Sequence, residues 1–207
     1  MVFQPQIDSV KPDFFLEING GLILILDVIT KFPSSEVIQN EVKWRASDAP
    51  YVVNRINEKR RKYKKLLGGN RSLIPIVFDE TYPSGELSLE QLENSLYGNP
   101  QITWDPLIED SELETDRENR GLFRLFVEGI YQNTSIGGVF YIKNKYGGRN
   151  LKFEIAFLLN PIANPQVDPS IFNSISQLVF SIKEERIKGV WTKEPPSVFD
   201  LTISTPE

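Results

Sequence analysis

Residues 12–30 read PDFFLEINGGLILILDVIT, and this stretch decides how the chain folds. Two β-rich runs flank Asn19-Gly20-Gly21, a triplet suited to the positive φ angles of a tight turn, so a hairpin is predicted. The second run, Leu22 to Leu26 with Val28 and Ile29, is apolar on both faces. It should be a central strand covered on both sides. Asp27 interrupts it, and Asp13 opens the first strand after Pro12. The turn decides whether these acids meet. A three-residue loop pairs Asp13 with Asp27, with Cβ atoms about 4.5–5.5 Å apart. A two-residue loop slips the register by one and sends the side chains to opposite faces.

Outward from the hairpin, residues 33–50 stay open between a loop and a helix over Glu36–Trp44, and Pro50 is expected to end whatever precedes it. Tyr51–Leu67 has helical spacing. Val52, Val53, Ile56, Tyr63 and Leu67 share a face, and Gly68-Gly69 supply the stop. Residues 72–78 read as a buried strand despite Pro75. LSLEQLENSL reads as a short helix, with Ser88 as its cap and Gln91 three residues on. Gly121–Leu159 is β-rich, with a hairpin turn at Tyr146-Gly147-Gly148 rather than a phosphate-cradling loop. A helix is expected over Pro169–Arg186, and Val190–Glu207 should be extended. This order predicts an α/β (or α+β) fold, a mixed β-sheet flanked by helices. The expected division is a core over 1–100, an acidic connecting segment over 101–120, and a β-rich part with one helix over 121–207, packed on the same domain.

Composition narrows the chemistry. The 207 residues, 40% apolar, suit one domain with a real core. With no Cys and no His, thiol nucleophiles, imidazole acid–base chemistry, and His- or Cys-based metal sites are excluded. Any metal must be held by oxygens, which favours a hard cation. The net charge of −5 argues against coating nucleic acid electrostatically, but it leaves room for a local basic face. No apolar run is long enough for a membrane span. MVFQPQIDSV has no signal pattern, so a cytoplasmic protein is expected. The acids between 105 and 118 read as a solvated face or as a contact for a basic partner.

Two facing carboxylates in a buried sheet repel, and a cation between them or a shared proton relieves this. Mg²⁺ (or Mn²⁺) held by Asp13, Asp27 and the Val28 carbonyl would keep water positions open. Such an ion makes a bound water more acidic and stabilises charge on a phosphodiester. The following helix carries Arg55, Lys59, Arg60, Arg61, Lys62, Lys64 and Lys65, with only Glu58 opposing. It is either a solvated face favoured by the helix dipole or a DNA-contacting face. Glu17 is a candidate third acidic ligand, and Tyr63 reads as core.

Pro12-Asp13, an apolar strand, a glycine turn and a strand ending in an acid resemble the PD-(D/E)XK nuclease superfamily. The motif lysine is displaced, because Ile29 stands where it would be. In the Uma-type nuclease-like branch a lysine on the next helix takes its place. Asp27-Val28-Ile29-Thr30, Lys59-Arg60-Arg61-Lys62-Tyr63, Gly68 and Ile76-Val77-Phe78-Asp79 follow that order, so the resemblance covers residues 10–80. Glu41-Val42-Lys43 is a second acid-x-Lys triplet, and Lys31 and Lys43 are fallback lysines. The resemblance implies a restriction-endonuclease-like core and Mg²⁺-dependent endonuclease action on DNA. It implies catalytic Asp13, Asp27 and Lys59, and frequent homodimers. Two alternatives stand beside it. One is a degenerate member that binds nucleic acid or serves as an assembly subunit. The other is an unrelated α/β interaction module in which Asp27 is a structural ion pair.

Overall fold

A computed structural model describes residues 2–3, 5–6, 10–18, 21–31, 49–79, 87–103, 114–117, 120–147, 150–183 and 186–202. The hairpin forms as β2 (Phe14–Glu17) and β3 (Ile23–Lys31), with β1 (Val2–Phe3) on its outer edge. The Ile18 carbonyl accepts from the Gly21 N–H at 3.0 Å, and Gly21 takes φ +83°, which a side chain would resist. The chain then passes through α1 (Ala49–Lys62) into β4 (Arg71–Asp79), which runs parallel to β3 along its whole length.

The sheet does not stop there. β9 (Gly138–Gly147) pairs in parallel with β4, and β10 (Asn150–Leu159) returns antiparallel to β9. β11 (Ser176–Lys183) and β13 (Ser197–Thr202) share the far edge of β10, and β12 (Arg186–Trp191) closes on β11. The result is a nine-stranded mixed sheet, the α/β class expected, in which residues beyond 120 extend the sheet begun by the first hundred.

Period-two alternation in β3 separates the two cores. Ile25 and Ile29 face α1 and pack with Val52, Ile56, Tyr63, Leu66 and Val77. Leu24 and Leu26 face away and pack with Ile74, Phe140 and Phe157. A fully buried aliphatic side chain of this kind stabilises by about 1.5–3 kcal/mol, so α1 is fixed on the sheet mainly by Val52 and Ile56, with Leu66 anchoring the turns that follow. Pro50 lies in the first turn of α1, where a residue has no intrahelical N–H bond to lose. The helix proper ends at Lys62, and hydrogen-bonded turns carry the chain to Gly68, at φ +107°.

Pro75 is tolerated for a visible reason. Leu73 donates toward Ser135, on the β9 side, so the missing N–H of Pro75 would also point there. The regular β4–β9 ladder begins only at Ile76↔Phe140. At α2 (Leu89–Tyr97), Ser88 and Gln91 form the expected reciprocal capping box at 3.0 and 3.2 Å. The strand pair β5 (Pro100–Thr103) and β6 (Glu114–Arg117) is tied to α2 through Arg117, which reaches Glu93, Asn94 and the Gly98 carbonyl. A small hairpin, β7 (Phe126–Val127) and β8 (Ile130–Tyr131), presents apolar side chains to solvent.

The helix expected over Pro169–Arg186 is absent. Asp168 caps a single 3₁₀ turn, Pro169–Phe172, and the chain then enters β11. The run SQLVFSIK alternates, sending Leu178 to one core and Val179 to the other. A segment flanked by strands on both sides and covered on both faces gains more from ladder bonds than from helical spacing. The tail is extended and paired, as β12 and β13. Residues 36–45, with Glu41 and Lys43, lie outside the described residues, as do most of the acids between 105 and 118. Among the described residues no helix is long and apolar enough to cross a membrane.

Candidate functional site at the β2–β3 hairpin

The observed register is the one that brings the two acids together. Phe14 pairs with Leu26 and Glu17 with Ile23, so one residue further Asp13 stands opposite Asp27. The bond from the Ile18 N–H to the Leu22 carbonyl makes even-numbered positions the hydrogen-bonding ones. Asp13 and Asp27 therefore form a non-bonded pair, whose Cα atoms approach to about 4.5 Å in such ladders. The next hydrogen-bonding position places Pro12 against Val28. Pro12 has neither an N–H nor a regular ladder to offer there, and the Val28 N–H is given instead to Asp13 Oδ2 at 2.7 Å. Thus the Pro-Asp pair ends the ladder and turns the Asp13 carboxylate onto the β3 backbone.

Asp27 is 1% exposed, on the α1 face of β3. The helix answers it with three groups. Lys59 Nζ lies 2.5 Å from Oδ1, Lys62 Nζ 3.3 Å from Oδ2, and the Tyr63 hydroxyl donates to Oδ2. Lys59, Lys62 and Tyr63 stand three and four residues apart, which puts them on one helix face. Burial, then the bond to Asp27, then the Asp27 and Asp13 charges hold the Tyr63 phenol far above its ordinary range. Tyr63 is thus a fixed donor and not a base. A carbonyl joins the group: Lys11 O accepts from Lys62 Nζ at 3.4 Å and lies 3.1 Å from Tyr63 Oη. Lys62 is 42% exposed at its side chain, against 21% for Lys59, so Lys62 is the looser partner.

The remaining sequence candidates separate. Arg55 pairs with Glu58 at 2.5 Å on the open helix surface. Arg61, Lys64 and Lys65 are exposed, and Arg60 is half-buried. Lys62, expected among the DNA contacts, belongs to Asp27. Glu17 is exposed four residues along β2, about 13 Å from Asp13 at strand spacing, too far to complete its site. Asp79 is buried at the end of β4 and accepts from the Leu87 N–H at 3.1 Å, away from the pair. Sequence reasoning missed the Lys11 carbonyl and the contacts of Lys62 and Tyr63 with Asp27. The spacing of both residues from Lys59 carried the signal for the latter.

The oxygens of Asp13, Asp27 and the Lys11 carbonyl suit a hard cation that keeps several waters. Among the described residues no cluster of three or more Asp, Glu, His or Cys side chains surrounds a common point. A metal here would rest on two carboxylates and backbone oxygen. Compared with family models, with curated proteins and with solved structures, the chain returns no match.

Proposed function

We propose that the chain is a metal-dependent endonuclease of the PD-(D/E)XK type, hydrolysing DNA phosphodiesters at the Asp13–Asp27 pair. The observation that carries this reading is the convergence of Asp13, Asp27 and Lys59 through a hairpin, a crossover helix and a parallel strand. Asp13, Asp27 and the Lys11 and Val28 carbonyls are the groups to hold Mg²⁺ or Mn²⁺. The ion, when bound, supplies a more acidic water and a counter-charge for the phosphate. Lys59 keeps the Asp27 carboxylate in place and offers an ammonium to the attacking water or the phosphoryl oxygens. Tyr63, held protonated, fixes the other Asp27 oxygen. Lys62 is exposed enough to give way to an incoming cation or phosphate.

Plasmid incubated at low salt with Mg²⁺ or Mn²⁺ tests this. Nicking is expected with either metal and none after chelation. Asp27→Ala should lower the rate by at least about 100-fold. Wild type that leaves the plasmid intact would refute the reading. The resemblance also implies a homodimer, which light scattering measures.

A second reading is favoured by the placement of one side chain. The Lys62 ammonium already touches Asp27 Oδ2, Tyr63 Oη and the Lys11 carbonyl, where a cation would sit. On that reading the carboxylates are neutralised from within, and the protein binds nucleic acid without cutting it.

A further inference from the structure

On the opposite flank of α1 from Asp27 lies a cleft of about 780 Å³, into which Arg60, Arg61 and Lys64 turn. Its other wall is Thr134 and Ser135, just ahead of β9, with Asn164, and among the described residues no carboxylate lines it. Cations at a helix C-terminus are common, because they complement its dipole. Arg60 goes beyond that. Its Nε is buried and has no hydrogen-bond partner among the described residues, and an orphaned guanidinium donor is costly to keep. Arg61 and Lys64, too, have no acidic partner among the described residues, while Arg55 and Lys59 on the same helix each have one. Three cations, one with a guanidinium Nε that has no partner among the described residues, beside Thr134 and Ser135 form a site for a phosphate group.

The shape of the rim indicates which phosphate. Gly68 and Gly69 have positive φ, and nothing lies within 4 Å of where their side chains would begin, so a backbone can approach closely. Among the described residues Leu67 is the sole large apolar side chain in the lining, and none of them brings an aromatic ring for a base to stack on. We infer that this cleft holds the phosphodiester backbone of a nucleic-acid strand, without regard to sequence and without a metal. The inference rests on the cleft alone, so it stands or falls separately from hydrolysis at Asp27.

The test is fluorescence anisotropy with fluorescein-labelled mixed-sequence DNA, single-stranded and duplex, in EDTA across a salt series. Wild type should bind one or both forms. The triple variant Arg60→Ala/Arg61→Ala/Lys64→Ala should weaken binding at least about tenfold and flatten the log Kd against log salt slope by about 2. Arg60 is partly packed, so Arg61→Glu/Lys64→Glu, confined to exposed positions, is run alongside with thermal unfolding as the folding control. It should weaken binding at least as much with an unchanged Tm. Binding that survives the double variant overturns the inference, as does wild type that binds neither DNA form. Pyrophosphate is titrated as well. If it binds and DNA does not, the cleft takes a free phosphoanion and the strand assignment is wrong.

Discussion

Lys59 and Lys62 lean from one flank of α1 onto a buried carboxylate, whereas Arg60, Arg61 and Lys64 face a cleft on the other flank that no acid among the described residues lines. The residue types are alike and only a helix diameter separates them, about 10–12 Å. What differs is the strand beneath. β3 places Asp27 under the first group, and the turns before β9 place only hydroxyls beside the second. Five of the seven cations thus fall into two sets: Lys59 and Lys62, whose charge is answered inside the fold, and Arg60, Arg61 and Lys64, left for an anion from outside. The lesson is that a basic helix should be divided by what each face meets before it is read as a single binding surface.

This contrast can be broken at several points. Lys59→Ala should cost the most stability, about 2–3 kcal/mol in urea unfolding, because it strips a partner from a buried carboxylate. A loss under about 0.5 kcal/mol would mean that Asp27 does not depend on Lys59. Tyr63→Phe should cost about 1–2 kcal/mol, since one buried donor to Asp27 disappears. Lys62→Ala should cost about 0–1 kcal/mol, as expected for a partner 42% exposed. Arg61→Ala/Lys64→Ala should leave stability within about 0.5 kcal/mol of wild type, because both are exposed and no acid among the described residues pairs with them.

The phenols give a pH test of the same contrast. Burial raises Tyr63 and Tyr97 above the ordinary 10.0, first by desolvation in both cases. The unfolded chain therefore loses these protons first as pH rises. Their stabilisation is complete below pH 10 and declines above it, by up to about 1.4 kcal/mol per pH unit for each tyrosine. Tyr63→Phe should remove one tyrosine's share of that slope and leave the share of Tyr97. Urea midpoints between pH 9 and 11 measure it, and an unchanged slope would place Tyr63 outside the coupling.

The hairpin was legible because its signals are local: an Asn-Gly-Gly triplet between two β-rich runs. Its register was legible only as a choice of two, since one residue of loop length decides it. Lys59 was reachable from helix spacing, and the same spacing included Lys62 and Tyr63. Lys62 was placed with the DNA contacts because charge alone does not say which cation meets the acid. The segment 169–186 misled because Asp168 and Pro169 are true start signals for a single turn, whereas the partners that make Ser176–Lys183 a strand lie 20 residues before it in β10. The cleft was not legible at all. Its walls come from 60–69, 134–135 and 164, and only the pairing of β9 beside β4 brings the first two together.

The carboxylate pair is tested most directly by titrating Mn²⁺ calorimetrically into wild type and into Asp13→Asn. Asp13→Asn keeps the side chain's size and removes one of the two charges. A metal centre predicts one Mn²⁺ per wild-type chain and at least about a tenfold weaker affinity in the variant. No heat from wild type, or equal affinity in both proteins, would contradict it and leave Asp27 as the counter-ion of Lys59 and Lys62.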